Sequence, residues 1–252
     1  MKFKNKVVLV TGGGTGLGRA MCLQFALEGA AVIVNYSKSE ARAKEVVDRI
    51  DAMGGQAVDI RADVSRDGQA RQLIEKAVAR FGRLDVLINN AGWTRFIPHN
   101  ELEELSEEVL QNTWSVTVKA PIYCTRAAAP HLKETGAGAV INITSSAAYT
   151  AMGSSVIYCA AKAALASITK SLARTLAPEI RVNAIAPGFV DTGFVNWSPQ
   201  VLEHLKRKTR LGRPIVSEDI AEAAVYLAAD AHSTTGQTIL VDAGAVALGP
   251  DS

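Results

Sequence analysis

Short, continuous apolar runs alternate along the chain with longer stretches in which apolar residues return every three or four positions. Val7-Val8-Leu9-Val10, Ala31 to Val34, Ala57 to Ile60, Val86 to Ile88, Val140 to Ile143, Arg181 to Ile185 and Thr238 to Val241 are the short runs. Runs of that length read as strands covered on both faces. Gly16 to Gly29, Ser39 to Met53, Gln69 to Phe81, Ser106 to Lys133, Val156 to Leu176 and Ser217 to Ala228 carry helical spacing. Strand–helix alternation of this kind builds parallel βαβ units with helices on both faces of the sheet. No low-complexity linker divides the 252 residues, and that length suits one larger domain. The expectation is an α/β fold, a single doubly wound Rossmann domain over residues 1–252 with a parallel sheet of about seven strands. The rhythm lapses between Gly188 and Leu211, which hold Trp197, Pro199 and the basic run Lys206-Arg207-Lys208. A loop that long inside a compact domain is usually functional; the basic run itself reads as a solvated helix face.

Composition narrows the function. The 27 basic and 25 acidic side chains nearly cancel, to a formal net charge of +2. Nothing in that balance recommends nucleic acid or an anionic membrane as partner. Cys22, Cys124 and Cys159 cannot all pair, and no two have metal-ligand spacing. They read as reduced, mostly buried thiols of a reducing compartment, with no metal site. Met1 to Lys6 is too short and too charged for a signal peptide. No apolar run is read as long enough to span a bilayer, so the expected location is cytoplasmic.

Chemistry concentrates where strands end. Thr11-Gly12-Gly13-Gly14-Thr15-Gly16-Leu17-Gly18 follows the first strand and opens the first helix. Glycine there lets the backbone turn and approach a pyrophosphate, which the free N–H groups and dipole of the helix N-terminus favour. Ala62-Asp63-Val64 and Asn89-Asn90-Ala91-Gly92 follow the third and fourth strands, at the carboxyl edge where doubly wound sheets bind ligands. Asn89 reads as structural. The second strand runs into Asn35-Tyr36-Ser37-Lys38 without the carboxylate that an NAD site uses on the ribose 2′-OH. Asn35 is neutral there, and Ser37 and Lys38 can meet a 2′-phosphate, so NADP(H) is expected over NAD(H).

Tyr158 and Lys162 lie four residues apart on a helix and share a face. A free phenol has a pKa near 10. Lowering it by about three units takes roughly 4 kcal/mol, which an ammonium about 4.5 Å away supplies at an effective dielectric near 20. The spacing thus predicts an activated tyrosine, with Ser145 just past a strand able to donate a hydrogen bond to a substrate oxygen.

Together these pieces resemble the short-chain dehydrogenase/reductase family over nearly the whole chain. They are the Thr11–Gly18 loop, Asn89-Asn90-Ala91-Gly92, Ser145, Tyr158-Cys-Ala-Ala-Lys162, the run from Arg181 to Pro187-Gly188, Thr235-Gly236-Gln237 and Val241-Asp242-Ala243-Gly244. The resemblance implies an NAD(P)-dependent oxidoreductase acting on CH–OH and C=O groups. Gly12, Gly14, Thr15, Gly16, Leu17 and Gly18 would shape the pyrophosphate loop, and Asp63 and Val64 would touch the adenine. Asn90, Ala91, Gly92, Pro187, Gly188 and Val190 would line the cofactor, and Thr192 would anchor the carboxamide. Lys162 would hold the nicotinamide ribose, Ser145 would orient the carbonyl, and Tyr158 would protonate it as hydride arrives. The family's catalytic asparagine falls here on Thr117. In the family that residue's main-chain carbonyl holds a water that passes protons from the lysine. Asn112, five residues earlier, is about 140° around the helix and cannot replace it. The expectation is that Thr117 bonds back to the carbonyl of Thr113 and bends the helix, leaving an active enzyme with an altered relay.

The expected substrate pocket is walled by Trp93, Phe96, Ala147, Tyr149, Met152, Phe189, Phe194 and Trp197, which suits a small or medium, partly apolar carbonyl compound of 3-oxoacyl, ketone or sugar/polyol type. Pro130 and Glu179 stand where ketoacyl reductases of this family place basic residues for an acyl carrier protein, which argues against a carrier-bound substrate. The resemblance implies a homotetramer or homodimer with interfaces on Ser106–Lys133 and Val156–Leu176. The rival reading is a nucleotide-binding regulator with weakened catalysis; an intact Ser145, Tyr158 and Lys162 speaks against it.

Overall fold

The computed structural model describes every residue except 196, 197, 199, 201, 202, 204–208, 247 and 249–252. Trp197, Pro199 and Lys206-Arg207-Lys208 therefore lie outside the described residues. The strands are β1 (Val7–Val10), β2 (Ala31–Tyr36), β3 (Gln56–Arg61), β4 (Val86–Asn89), β5 (Gly138–Ile143), β6 (Ile180–Pro187) and β7 (Thr238–Val241). The helices are α1 (Gly16–Leu27), α2 (Glu40–Ala52), α3 (Asp67–Phe81), α4 (Glu107–Trp114), α5 (Ala120–Glu134), α6 (Ala147–Thr150), α7 (Val156–Leu176) and α8 (Ser217–Ala229).

The seven strands form one sheet in the order β3-β2-β1-β4-β5-β6-β7, all parallel. Val8 of β1 pairs with Val32 on one side and Val86 on the other. The winding reverses between β1 and β4, which opens a crevice beyond their carboxyl ends, the general ligand position in such sheets. All four residues of β1 and of β4 are buried, as continuous apolar runs require when both faces are covered. One face packs Met21 and Phe25 of α1, Val46 and Ile50 of α2, and Ala221 and Leu227 of α8. The other packs Leu73 and Ile74 of α3, Cys124 and Leu132 of α5, and Ala173 of α7. The doubly wound α/β architecture is thus as expected.

Two expectations need correction. Ser106–Lys133 is not one regular helix: α4 and α5 are joined by a π-helical segment, Ser115–Lys119. The π turn occupies only five residues inside an otherwise α-helical stretch, too few for the apolar pattern to reveal it. And α7, at 21 residues with a mean hydropathy of 1.3 in its most apolar window, is long and apolar enough to cross a membrane. Its apolar residues have another explanation, because Ala161, Leu165 and Ala173 are buried against the rest of the fold and α7 also carries the buried Lys162.

Candidate active site

The glycine-rich turn is shaped by its neighbours. Gly12 and Gly16 adopt φ of +63° and +50°, a region that side chains disfavour. Gly18 lies directly against the carbonyl of Gly12, where no Cβ fits, and Gly14 lies against the first turn of α2, where a Cβ would come 3.2 Å from the Ala43 nitrogen. Asn90 fastens the turn from β4: its Nδ2 donates to the Thr11 carbonyl at 2.9 Å and the Gly12 carbonyl at 3.2 Å. Thr11 Oγ1 accepts from the backbone N–H groups of Asn90 and Ala91 at 2.9 and 3.0 Å. Asn89 is structural, donating to Thr125 Oγ1 and Asn142 Oδ1 inside the fold.

A cavity of about 1110 Å³ opens along the carboxyl ends of β1, β4, β5 and β6. Its walls include Gly12, Thr15, Gly16, Leu17, Asn90, Ala91, Gly92, Pro187, Gly188, Val190 and Thr192, together with Ser145, Tyr158 and Lys162. Most of the candidate cofactor residues and three of the four candidate catalytic ones therefore share one space. Gly14 and Gly18 act from behind it, packed against α2 and the loop backbone.

Five expected cofactor residues stand elsewhere. Asn35 is buried, and its side chain turns into the fold rather than toward a ribose. Its Oδ1 accepts from the Gly12 N–H at 3.3 Å, and its Nδ2 donates to the Ile60 and Ala62 carbonyls at 3.2 and 3.1 Å. Ser37 and Lys38 are exposed and outside the cavity wall. Asp63 also stands outside that wall, its carboxylate accepting from the Ser65 N–H and hydroxyl at 3.1 and 2.6 Å and pairing with Arg66 at 3.4 Å; Val64 is buried. At this end, sequence reasoning missed Arg42 of α2, which lines the cavity with the glycine turn. Helical spacing over Ser39–Met53 does not set it apart from the other polar positions of that helix.

At the far end, Tyr158 is positioned by the start of α7, where Ser155 caps the helix by accepting from the Tyr158 N–H at 3.2 Å. One turn on, the buried Lys162 donates from Nζ to the Ile143 carbonyl at 2.7 Å and lies 5.6 Å from the centre of the Tyr158 ring. Ser145 Oγ accepts from the Ala147 N–H at 3.2 Å. Burial pushes the Tyr158 phenol up to about 12, against a hydrogen bond from Ser145 that pulls it down. Burial also pushes the Lys162 ammonium down to about 8. Burial is thus the largest influence on the Tyr158 phenol in this cavity, and it acts opposite to the lowering expected from its lysine.

Thr117 is buried outside the cavity wall, and its hydroxyl has no hydrogen-bond partner among the described residues. The expected bond to the Thr113 carbonyl is absent; it is Thr113 that bonds back, to the Val109 carbonyl at 2.7 Å. The helix is nonetheless distorted at this point, because Thr117 is the middle residue of the π segment. Of the expected pocket wall, Ala147, Met152, Phe189 and Phe194 line the cavity, while Trp93, Phe96 and Tyr149 do not. Sequence reasoning missed Thr150, Gly153, Val195, Arg210 and Val246 among the residues lining that end; Thr150 closes the short α6 and the others lie in loops without periodicity.

Comparison with known proteins bears on the family of the chain. Residues 12–246 match the protein family described as enoyl-(acyl carrier protein) reductase. The chain is 37% identical over 247 residues to the 3-oxoacyl-[acyl-carrier-protein] reductase of Staphylococcus epidermidis, spanning 95% of this chain and 98% of that one. It is 37% identical over 248 residues to the short-chain dehydrogenase/reductase SDRA of Arabidopsis thaliana, spanning 96% and 95%. Among solved structures, a short-chain dehydrogenase from Burkholderia cenocepacia in complex with NADP superposes with a TM-score of 0.90 at 32% identity, over 97% of this chain and 99% of that one.

Proposed function

Because this chain belongs to the short-chain dehydrogenase/reductase family, and so is an NAD(P)-dependent oxidoreductase, we propose that it acts as a reductase of a small to medium carbonyl compound, with NADP(H) favoured over NAD(H). The observation that carries this reading is the convergence of Ser145, Tyr158 and Lys162 on the same cavity as the glycine turn. The turn fits a dinucleotide: Gly12 and Gly16 supply the curvature, and Gly18 leaves no bulk against it. The nicotinamide, when bound, supplies the hydride. The protein's own part is placement and protons. Ser145 donates a hydrogen bond to the carbonyl oxygen and holds it toward Tyr158. A phenol pushed up to about 12 is protonated throughout the working range, so Tyr158 is ready as the general acid that protonates the oxygen. Lys162, charged below about pH 8, fixes the sugar hydroxyls beside it and adds positive potential where negative charge develops.

The substrate end, with Met152, Phe189, Phe194 and Val195 among small and hydroxyl-bearing residues, suits a ketone or 3-oxoacyl compound of partly apolar character, and a sugar or polyol next. Pro130 and Glu179 support a substrate free of carrier protein. One catalytic domain of a cytoplasmic homo-oligomer is the accompanying reading, supported by three unpaired, buried thiols and by an α7 that is apolar yet one-third buried in its window.

The test is turnover of a panel of ketones, sugars and free 3-oxoacyl thioesters with NADPH. Tyr158→Phe is expected to lose at least about 10²-fold in turnover while its NADPH dissociation constant stays within about twofold. Near-normal turnover would remove Tyr158 from the chemistry. In the same assay kcat/KM for reduction is expected to fall as pH rises through about 8, where Lys162 loses its proton. A profile flat beyond that point would mean that the lysine charge is not used.

A further inference from the structure

Resting on the reading of this cavity as a dinucleotide site, we infer that Arg42 is the residue that selects NADP(H), by gripping the adenosine 2′-phosphate. Three observations place it there. The first is contact: Arg42 lines the cavity beside the turn that would hold the pyrophosphate. It comes so close because Gly14 has no side chain; a Cβ there would press on the Ala43 nitrogen at 3.2 Å and push the first turn of α2 away.

The second is unspent charge. Around it, Lys44 is paired with Glu40 at 2.9 Å and Arg19 with Glu45 at 3.1 Å. Arg42 has no ion pair and no side-chain hydrogen bond among the described residues. A guanidinium offers parallel N–H groups in a fork that matches two phosphate oxygens, a geometry that an ammonium lacks.

The third is the absence of a competitor. The carboxyl end of β2 presents no carboxylate to a ribose 2′-OH: Asn35 is turned inward, Ser37 and Lys38 stand outside the cavity wall, and Glu40 is engaged by Lys44. An arginine lining the cavity at the end of the glycine turn, with no acid presented from β2, is the arrangement that would accept a 2′-phosphate. Lys38, the nearer candidate by sequence, is thereby a bystander.

The experiment measures dissociation constants for NADPH and NADH, and for 2′,5′-ADP and 5′-ADP as probes of the phosphate alone, by fluorescence titration of the whole protein. The proteins compared are the natural chain, Arg42→Ala, Arg42→Lys, Arg42→Glu and Lys38→Ala. Arg42→Ala is expected to weaken NADPH and 2′,5′-ADP at least tenfold and to leave NADH and 5′-ADP within about twofold. Arg42→Lys should recover part of the loss, Arg42→Glu should bring NADH ahead of NADPH, and Lys38→Ala should change NADPH less than threefold. Unchanged NADPH binding in Arg42→Ala, with the natural chain still preferring NADPH, overturns the assignment of Arg42 alone. Equal losses for NADPH and NADH overturn it too, since they mean a structural role. A natural chain that binds neither cofactor, or prefers NADH, overturns the cofactor reading itself.

Discussion

Asn35 shows how much a single side chain depends on which way it faces. By sequence it stands where an acid would choose NAD, and Asn35→Asp looks like a cofactor switch. In the fold its amide is a clasp, accepting from the Gly12 N–H and donating to the Ile60 and Ala62 carbonyls. A carboxylate there would turn an oxygen, in place of a donor, onto two carbonyl oxygens in a buried site. The expected result of Asn35→Asp is a loss of about 3 kcal/mol in stability, the scale of an uncompensated buried polar group, and weaker binding of both cofactors. Urea unfolding and the two dissociation constants check it; a stable variant that prefers NADH would contradict the clasp. The misreading has a definite physical source. The apolar run ends at Val34, but pairing with β3 carries β2 on to Tyr36, and Asn35 pairs with Ile60 inside the sheet. Successive strand residues face opposite ways, so where the strand ends decides whether Asn35 sees a ligand or the interior. Tyr158 and Lys162 could be found together because four-residue spacing puts them on one helix face, and Ser145 joined them through its place just past a strand and the family resemblance. The direction of the Tyr158 shift could not, since burial is a property of the assembled cavity and spacing reports only the lysine.

Among the elements, the helix from Glu107 to Glu134 carries most of what the sequence concealed. Its apolar residues keep helical spacing, yet Ser115–Lys119 is a π turn, and such turns recur at functional sites. The segment packs against α7, the helix of Tyr158 and Lys162. A π turn shifts the main-chain bonding by one residue without help from a side chain, which explains how the distortion stands although Thr117 makes no back-bond. The proton path proposed for this family of sites needs only a main-chain carbonyl, so the hydroxyl of Thr117 is dispensable on this account. Thr117→Val, nearly isosteric, is expected to leave turnover within about tenfold, or about 1.4 kcal/mol of barrier. Because it removes a buried hydroxyl that has no partner, stability should hold or rise by up to about 1 kcal/mol. Thr117→Asn, which restores the family residue, is likewise expected within about tenfold. A drop beyond about 10²-fold in Thr117→Val would instead assign the hydroxyl itself to the proton path. A jump from undetectable to robust turnover in Thr117→Asn would show that the natural chain had lost catalysis.

At the scale of the molecule, the seven strands were legible because each is built on a short, mostly apolar run, whereas their order was not written in any one of them. The order follows from where the chain reverses its winding, between β1 and β4, and that reversal is what brings the glycine turn after β1 beside Asn90 after β4. The cavity wall then draws on the ends of β1, β4, β5 and β6 and on the loops that follow them, so a ligand filling it touches both halves of the sheet and should stabilise them together. A ligand bound only by the native state adds about 2.7 kcal/mol at a hundred times its dissociation constant. For a chain of this size each kcal/mol moves the melting point by about 2–4 °C, so NADPH at that excess is expected to raise Tm by roughly 5–10 °C. Differential scanning fluorimetry with NADPH, and with NADH at the same concentration, measures this. A single transition is expected to move as a whole, further with NADPH than with NADH. Tyr158→Phe should keep the full NADPH shift, because the phenol is needed for proton transfer while the cavity's hold on the dinucleotide rests on the glycine turn and its surroundings. Two transitions of which only one moves would mean that the chain is not one cooperative domain. No shift with either cofactor at millimolar concentration would mean that the cavity at the winding reversal is not where a dinucleotide binds.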